Sequence, residues 1–271
     1  MCRFRSAALA AVVVVGFGSV ASAADMAVKA PPPSVVAVYN WTGFYGGGNI
    51  GYSWGKGNTS FYQPIGTGTD VPVSISGTQN LDGVIGGLQI GYNWQTGKTW
   101  VVSLESDFQW SGEKGSNNFN DPYTFETFPP LSRSGTLNSN IAWFGTLRGR
   151  AGVLLTPTVL LYGTGGLAYG RISTSGSITN NLAQLVGTCA CSFLSFGETT
   201  TKVGWTLGAG VEGAIPNTSH WTWKIEYLYI DFGTVSGNGV QIGFDSVPFP
   251  DSWSTKVTDN ILRVGLNYSL H

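Results

Sequence analysis

The chain has 271 residues, 39 of them glycine, 10 tryptophan and 11 tyrosine, with only 11% charged and a formal net charge of −1. Glycine at this density weakens helices throughout, so the composition argues against an α-helical protein and for an all-β one. The near-neutral balance carries no basic patch, which argues against nucleic acid as a partner.

The first 23 residues read as a secretory signal peptide: Arg3 and Arg5 form a positive start, Ala7 to Val20 an apolar stretch, and Ala21-Ser22-Ala23 a small-residue cleavage site. Its removal would take away Cys2 and both arginines. Residues 24–40, with prolines at 31–33, follow as an extended periplasmic tether. No later stretch approaches about 18 consecutive apolar residues, so no transmembrane helix is expected.

From Trp41 the pattern alternates with a period of two, as in strands with one apolar face. The opening run, Phe44 to Trp54, contains "GGGNIG", in which Gly46, Gly48 and Gly51 satisfy the G-x-G-x-x-G dinucleotide fingerprint. That fingerprint needs a strand before it, a helix after it and an acidic residue about 20 positions on. Asp70 lies near that distance, but in a Gly/Thr-rich segment, and no helix-forming stretch follows. The run therefore reads as a strand, with Phe44, Ile50, Tyr52 and Trp54 on one face and Gly47, Asn49, Gly51 and Ser53 on the other.

The second run, Asp82 to Trp94, sets Val84, Leu88, Ile90, Tyr92 and Trp94 against Gly83, Gly87, Gln89, Gly91 and Asn93. In the third, Trp100, Val102, Leu104, Phe108 and Trp110 oppose Ser103, Glu105, Asp107 and Gln109. The fourth sets Ile141, Trp143, Leu147 and Val153 against Thr146, Arg148 and Arg150. A fifth, Val159 to Ile172, is blurred by glycines. The sixth opposes Val203, Trp205, Leu207, Val211 and Ile215 to Thr206 and Glu212. The seventh opposes Trp221, Trp223, Ile225, Tyr227 and Tyr229 to Thr222, Lys224 and Glu226. In the last, Leu262, Val264, Leu266, Tyr268 and Leu270 oppose Arg263, Asn267 and Ser269.

Eight such runs are each long enough to cross a bilayer at a tilt. The connections alternate between long (55–80, 111–139, 173–201, 233–257) and short (95–98, 156–158, 216–220). Membrane barrels show this asymmetry, with short periplasmic turns and long external loops. An eight-stranded barrel has room inside only for modest side chains, so the bulky apolar face is expected to look outward, into lipid. The tryptophans agree: Trp94, Trp100, Trp110, Trp143, Trp221 and Trp223 fall near strand ends, where amphipathic rings favour the headgroup level. The expected fold is an eight-stranded antiparallel up-and-down transmembrane β-barrel over 41–271, with four long external loops.

The segments "YNWTGFYGGGNIGYSWG", "LDGVIGGLQIGYNWQ", "LLYGTGGLAYG", "TKVGWTLGAGVEGAI", "WKIEYLYIDFG" and "NILRVGLNYSL" resemble the small porin-like surface-antigen family of alphaproteobacterial outer membranes. The resemblance covers 41–271 apart from the long connections. It implies an eight-stranded outer-membrane barrel whose members are described as surface antigens, porin-like proteins and sometimes haem binders. Outer-membrane lipid and the barrel assembly machinery are then the expected partners. One departure is the end "NYSLH", where the family usually closes on an aromatic residue.

The inward charges balance: Glu105, Asp107, Glu212 and Glu226 against Arg148, Arg150, Lys224 and Arg263. They read as a paired network filling the lumen, the alternative being a charge-selective constriction of a narrow diffusion pore. Cys189 and Cys191, in "GTCACSF", read as a disulfide rather than a metal site, since zinc would need further ligands. Catalysis is not expected: the two histidines, His220 and His271, fall at the periplasmic end, away from where outer-membrane enzymes act. Aromatic-bearing loops could bind haem or a host ligand, but no loop histidine is available, Met26 lies in the tether, and no cofactor is expected.

Overall fold

The computed structural model describes residues 39–63, 73–123, 131–181, 191–242 and 248–270. The expected signal peptide and all but the last two residues of the tether lie outside the described residues. Eight strands run in chain order: β1 (Gly43–Gln63), β2 (Val73–Thr96), β3 (Trp100–Tyr123), β4 (Leu131–Thr156), β5 (Val159–Asn181), β6 (Cys191–Ala214), β7 (Trp221–Ile242) and β8 (Pro248–Ser269). Each pairs antiparallel with the next, and β1 pairs with β8 to close the barrel. Through the membrane-spanning part closure leaves no edge strand, so the backbone polar groups there find partners within the ring, as a membrane requires. Beyond it the β2–β3 pairing stops at Asp82/Lys114 and the β6–β7 pairing is interrupted.

Near the tight turns the side-chain alternation is the expected one. Leu88 and Ile90 are each 61% exposed, whereas Gln89 between them is 4% exposed. The residues facing out form an apolar belt bounded by two aromatic girdles. Phe44, Tyr92, Trp94, Trp100, Trp221, Trp223 and Tyr268 ring the end with the short turns, and several touch edge to face, as Phe44 and Tyr92 do at 4.6 Å. Tyr52, Trp54, Trp110, Trp143, Trp205 and Tyr227 ring the other, where Phe108 stacks on Trp143 at 5.6 Å.

Beyond the second girdle the strands continue. Segments expected as long loops are largely strand, so each strand is 21 to 26 residues long. At roughly 3.3 Å per residue, a strand of this length tilted by ~45° rises about 55 Å, well past a hydrocarbon core of ~30 Å. Here the alternation persists with its polarity inverted: Lys56, Asn58 and Ser60 face out, while Thr59 and Phe61 are buried inside. Water now lies outside the wall, so apolar side chains collect in the bore.

The lumen above the belt accordingly holds an apolar core that includes Leu81, Ile85, Leu137, Ile141, Phe144, Ile172, Phe232 and Trp253. This corrects the expectation that only small and polar side chains would fit inside. Glycines make the room: a Cβ on Gly170 would lie 3.0 Å from Phe144 and 3.1 Å from Phe232. Ile141 is a second correction. It faces inward at 1% exposure because the β3–β4 and β4–β5 registers shift at Trp110/Glu113 and Ile141/Trp143, and a bulge flips the faces of everything beyond it.

Candidate functional site

The sequence places Glu105 and Asp107 two residues apart on β3, and Arg148 and Arg150 likewise on β4, so each pair projects from one face. Pairing sets Glu105 opposite Arg148, and Glu226 of β7 opposite Arg263 of β8. Glu212 of β6 lies opposite Lys224 of β7. All eight converge in one layer across the bore, and none is more than 3% exposed.

Within this layer Arg148 contacts Glu105 at 2.5 Å, Asp107 at 2.9 Å and Glu226 at 3.0 Å. Arg150 bridges Glu105 at 2.9 Å and Glu212 at 2.6 Å. Lys224 reaches Glu105 at 3.0 Å, and Arg263 reaches Asp107 at 2.9 Å and Glu226 at 2.5 Å. Four anions face four cations, so the layer is neutral while every member is desolvated. That is the condition under which buried charge is tolerated.

Tyrosines complete the layer. The Tyr45 hydroxyl donates to Glu105 at 2.6 Å and accepts from Arg150 at 2.8 Å, and Tyr162 donates to Glu226 at 3.1 Å. The Arg150 guanidinium also lies 3.9 Å from the centre of the Tyr162 ring. Sequence reasoning missed both tyrosines, although their strand parity, odd on β1 and even on β5, marks them as inward.

Two plugs flank the layer. On the short-turn side, Tyr39 and Trp41 pack edge to face at 5.0 Å and bury themselves with Val101, Leu160 and Tyr162. The Trp41 indole donates to the Pro157 carbonyl and the Tyr39 hydroxyl lies 3.1 Å from that of Ser269. The apolar core of the long-strand end closes the other side. Glycines let the layer close: a Cβ on Gly47 would strike the Leu266 carbonyl and the Asn267 side chain, and one on Gly51 would lie 2.5 Å from the Leu262 carbonyl.

Two further carboxylates, also missed, sit where β3 and β8 leave the membrane. Glu113 and Asp259 are buried, yet their outward-facing neighbours Lys114, Thr258 and Asn260 are polar, which puts both beyond the membrane-spanning segments. Ser53 donates to Asp259 and Ser111 to Glu113. Neither acid has a cationic partner among the described residues. Burial pushes the Asp259 carboxyl up to about 7, against the opposing effect of the Ser53 and Asn260 hydrogen bonds. Burial and then the neighbouring Asp259 raise Glu113 well above the usual range.

The layer is a poor catalytic centre. Its hydroxyls are spent on it: Thr146 donates to Asp107 and Thr222 to Glu212, and both carboxylates are also held by arginines. His220 lies tilted against Tyr268 at 5.3 Å, next to the short turn. Among the described residues no group of three His, Cys, Asp or Glu side chains could hold a metal ion. Cys191 opens β6, and Cys189 lies outside the described residues, so the expected disulfide does too.

A family model described as the outer membrane protein beta-barrel domain matches residues 10–246. The 31 kDa outer-membrane immunogenic protein of Brucella melitensis is 36% identical over 267 residues, covering 97% of this chain and 99% of that one. Among solved structures, OprG of Pseudomonas aeruginosa is 12% identical with a TM-score of 0.41, over 86% of this chain and 98% of that one. The outer membrane protease OmpT of Escherichia coli is 10% identical with a TM-score of 0.44, over the same shares.

Proposed function

The chain belongs to the outer membrane protein beta-barrel family and is an outer-membrane surface protein, and from that premise we propose that its role is structural rather than conductive or enzymatic. The observation that carries this reading is the lumen layer of four carboxylates and four cations, interlocked at 2.5–3.0 Å and buried. An open pore would hydrate these groups and spread them along the wall. Here they face one another across the bore, with an aromatic plug below and an apolar core above.

In this role the barrel anchors strands that project past the membrane, and the long-strand end is the external one. The short-turn, long-loop asymmetry of outer-membrane barrels supports that orientation. Residues 1–23 would direct export, the barrel assembly machinery would insert the chain, and lipid would coat the belt. The porin-like alternative is a narrow diffusion path through the same layer. Liposome swelling separates the two: vesicles carrying the refolded protein should swell in small sugars no faster than empty ones. Swelling that rises with protein content would favour the pore.

A further inference from the structure

Immediately above the outer girdle, the water-facing side of β3, β4 and β5 carries a concave polar site of about 390 Å³. Two cross-strand rows build it: Lys114, Asn140 and Ser173, and above them Ser116, Asn138 and Ser175. The row at the girdle itself is Trp110, Trp143 and Arg171. So a lysine and an arginine flank the hollow at headgroup height, and amides and hydroxyls line it. No carboxylate lines it; Asp82 of β2 lies directly opposite Lys114 but accepts a hydrogen bond from Tyr52, and Lys114 and Arg171, both exposed, make no ion pair among the described residues.

We propose that this hollow binds the phosphorylated saccharide headgroup of an outer-leaflet glycolipid. The proposal rests on the reading that the long-strand end is external. Its chemistry is complementary on each count. Phosphates meet two free cations, sugar hydroxyls meet asparagine and serine side chains, and the acyl chains descend along the Trp110 and Trp143 faces into the belt. The small side chains of Ser116, Ser173 and Ser175 keep the hollow open, since a bulky residue in either row would fill it. Lys56 and Lys256 also face out at this height, on β1 and β8, although Lys256 is paired with Asp231 at 3.2 Å.

The test titrates the refolded full chain in detergent with bis-phosphorylated lipid A, read by native mass spectrometry. The variants are wild type, the double substitution Lys114→Ala/Arg171→Ala, and Lys98→Ala at the opposite end as a control. Wild type and K98A should bind alike, and the double variant should bind on the order of 10- to 30-fold more weakly. Lipid A stripped of its phosphates should bind wild type with a similar loss. Both lesions lie on the exposed wall, and a heat-modifiable band on gels reports that each variant is folded. Affinity unchanged in the double variant, or equal for the stripped lipid, would overturn the site. Phosphatidylglycerol binding as tightly as lipid A, with the same dependence on Lys114 and Arg171, would overturn its saccharide selectivity. Protease shaving of intact cells at 64–72 tests the orientation separately, because the detergent titration does not depend on it.

Discussion

Replacing Arg150 by Met tests whether the lumen layer is a set of pairs or a shared pool of charge. Arg148 makes more ionic contacts, yet each of its three carboxylates keeps another cation when it is removed: Glu105 keeps Arg150 and Lys224, while Asp107 and Glu226 keep Arg263. Arg150 has only two carboxylate partners, but one of them, Glu212, has no other ion-pair partner among the described residues. Removing Arg150 leaves Glu212 buried with only the Thr222 hydroxyl at 2.7 Å and the Asn267 amide at 2.9 Å. A stranded buried charge costs about 3–5 kcal/mol. Loss of charged hydrogen bonds whose acceptors stay compensated costs about 1.5–3 kcal/mol, which sets the expectation for Arg148→Met. Urea unfolding of protein in lipid vesicles should therefore rank Arg150→Met as the more damaging. Adding Glu212→Gln to Arg150→Met should recover at least half of the loss. The reverse ranking, or no recovery in the double variant, would refute the pairwise account.

Within GGGNIG, adjacent glycines should respond oppositely. Gly46 faces out, where a Cβ comes no nearer than 3.8 Å to the Gln89 carbonyl, so Gly46→Ala should be neutral or slightly stabilising. Gly47→Ala should cost about 1–3 kcal/mol, because its Cβ meets the Leu266 carbonyl and Asn267; equal unfolding midpoints for the two would contradict the packing. Asp259 gives a pH dependence. With its folded value raised from 3.8 to about 7, the folded state holds the proton more tightly, so stability is full below the unfolded value and falls as pH rises through about 7. Asp259→Asn should flatten that fall and unfold later than wild type at pH 8, whereas parallel pH profiles would show that Asp259 is ionised at no cost.

Much of the barrel is legible because a membrane imposes one pattern: bulky and apolar outward, small or paired inward. Parity alone places Glu105, Asp107, Arg148, Arg150, Glu212, Lys224, Glu226 and Arg263 on the inner face, and a tally of signs shows their balance. Which carboxylate meets which cation is not legible, since contacts such as Arg148 with Glu226 cross the bore rather than one strand pair. Tyr45 was hidden among the aromatics of "WTGFYGGG", where the residue type argues for lipid and only parity argues for the lumen. Glu113 was lost because its segment, 111–139, read as loop, and Asp259 because it falls between the 233–257 connection and the first residues assigned to the last run. Past the belt the solvent outside changes from lipid to water, the alternation inverts, and glycine- and serine-rich strand mimics a connection. Ile141 fails for a different reason, a bulge that period-two reasoning cannot see.

The central claim is that paired charges close the bore, and single-channel recording of the refolded protein in planar bilayers tests it most directly. Wild type should show no steady conductance across the range of applied voltage. Arg150→Met, which leaves one uncompensated anion in the layer and loosens it, should show brief, cation-preferring openings. A large, stable wild-type conductance whose selectivity is unmoved by that substitution would contradict the account, because the charges would then line an open channel.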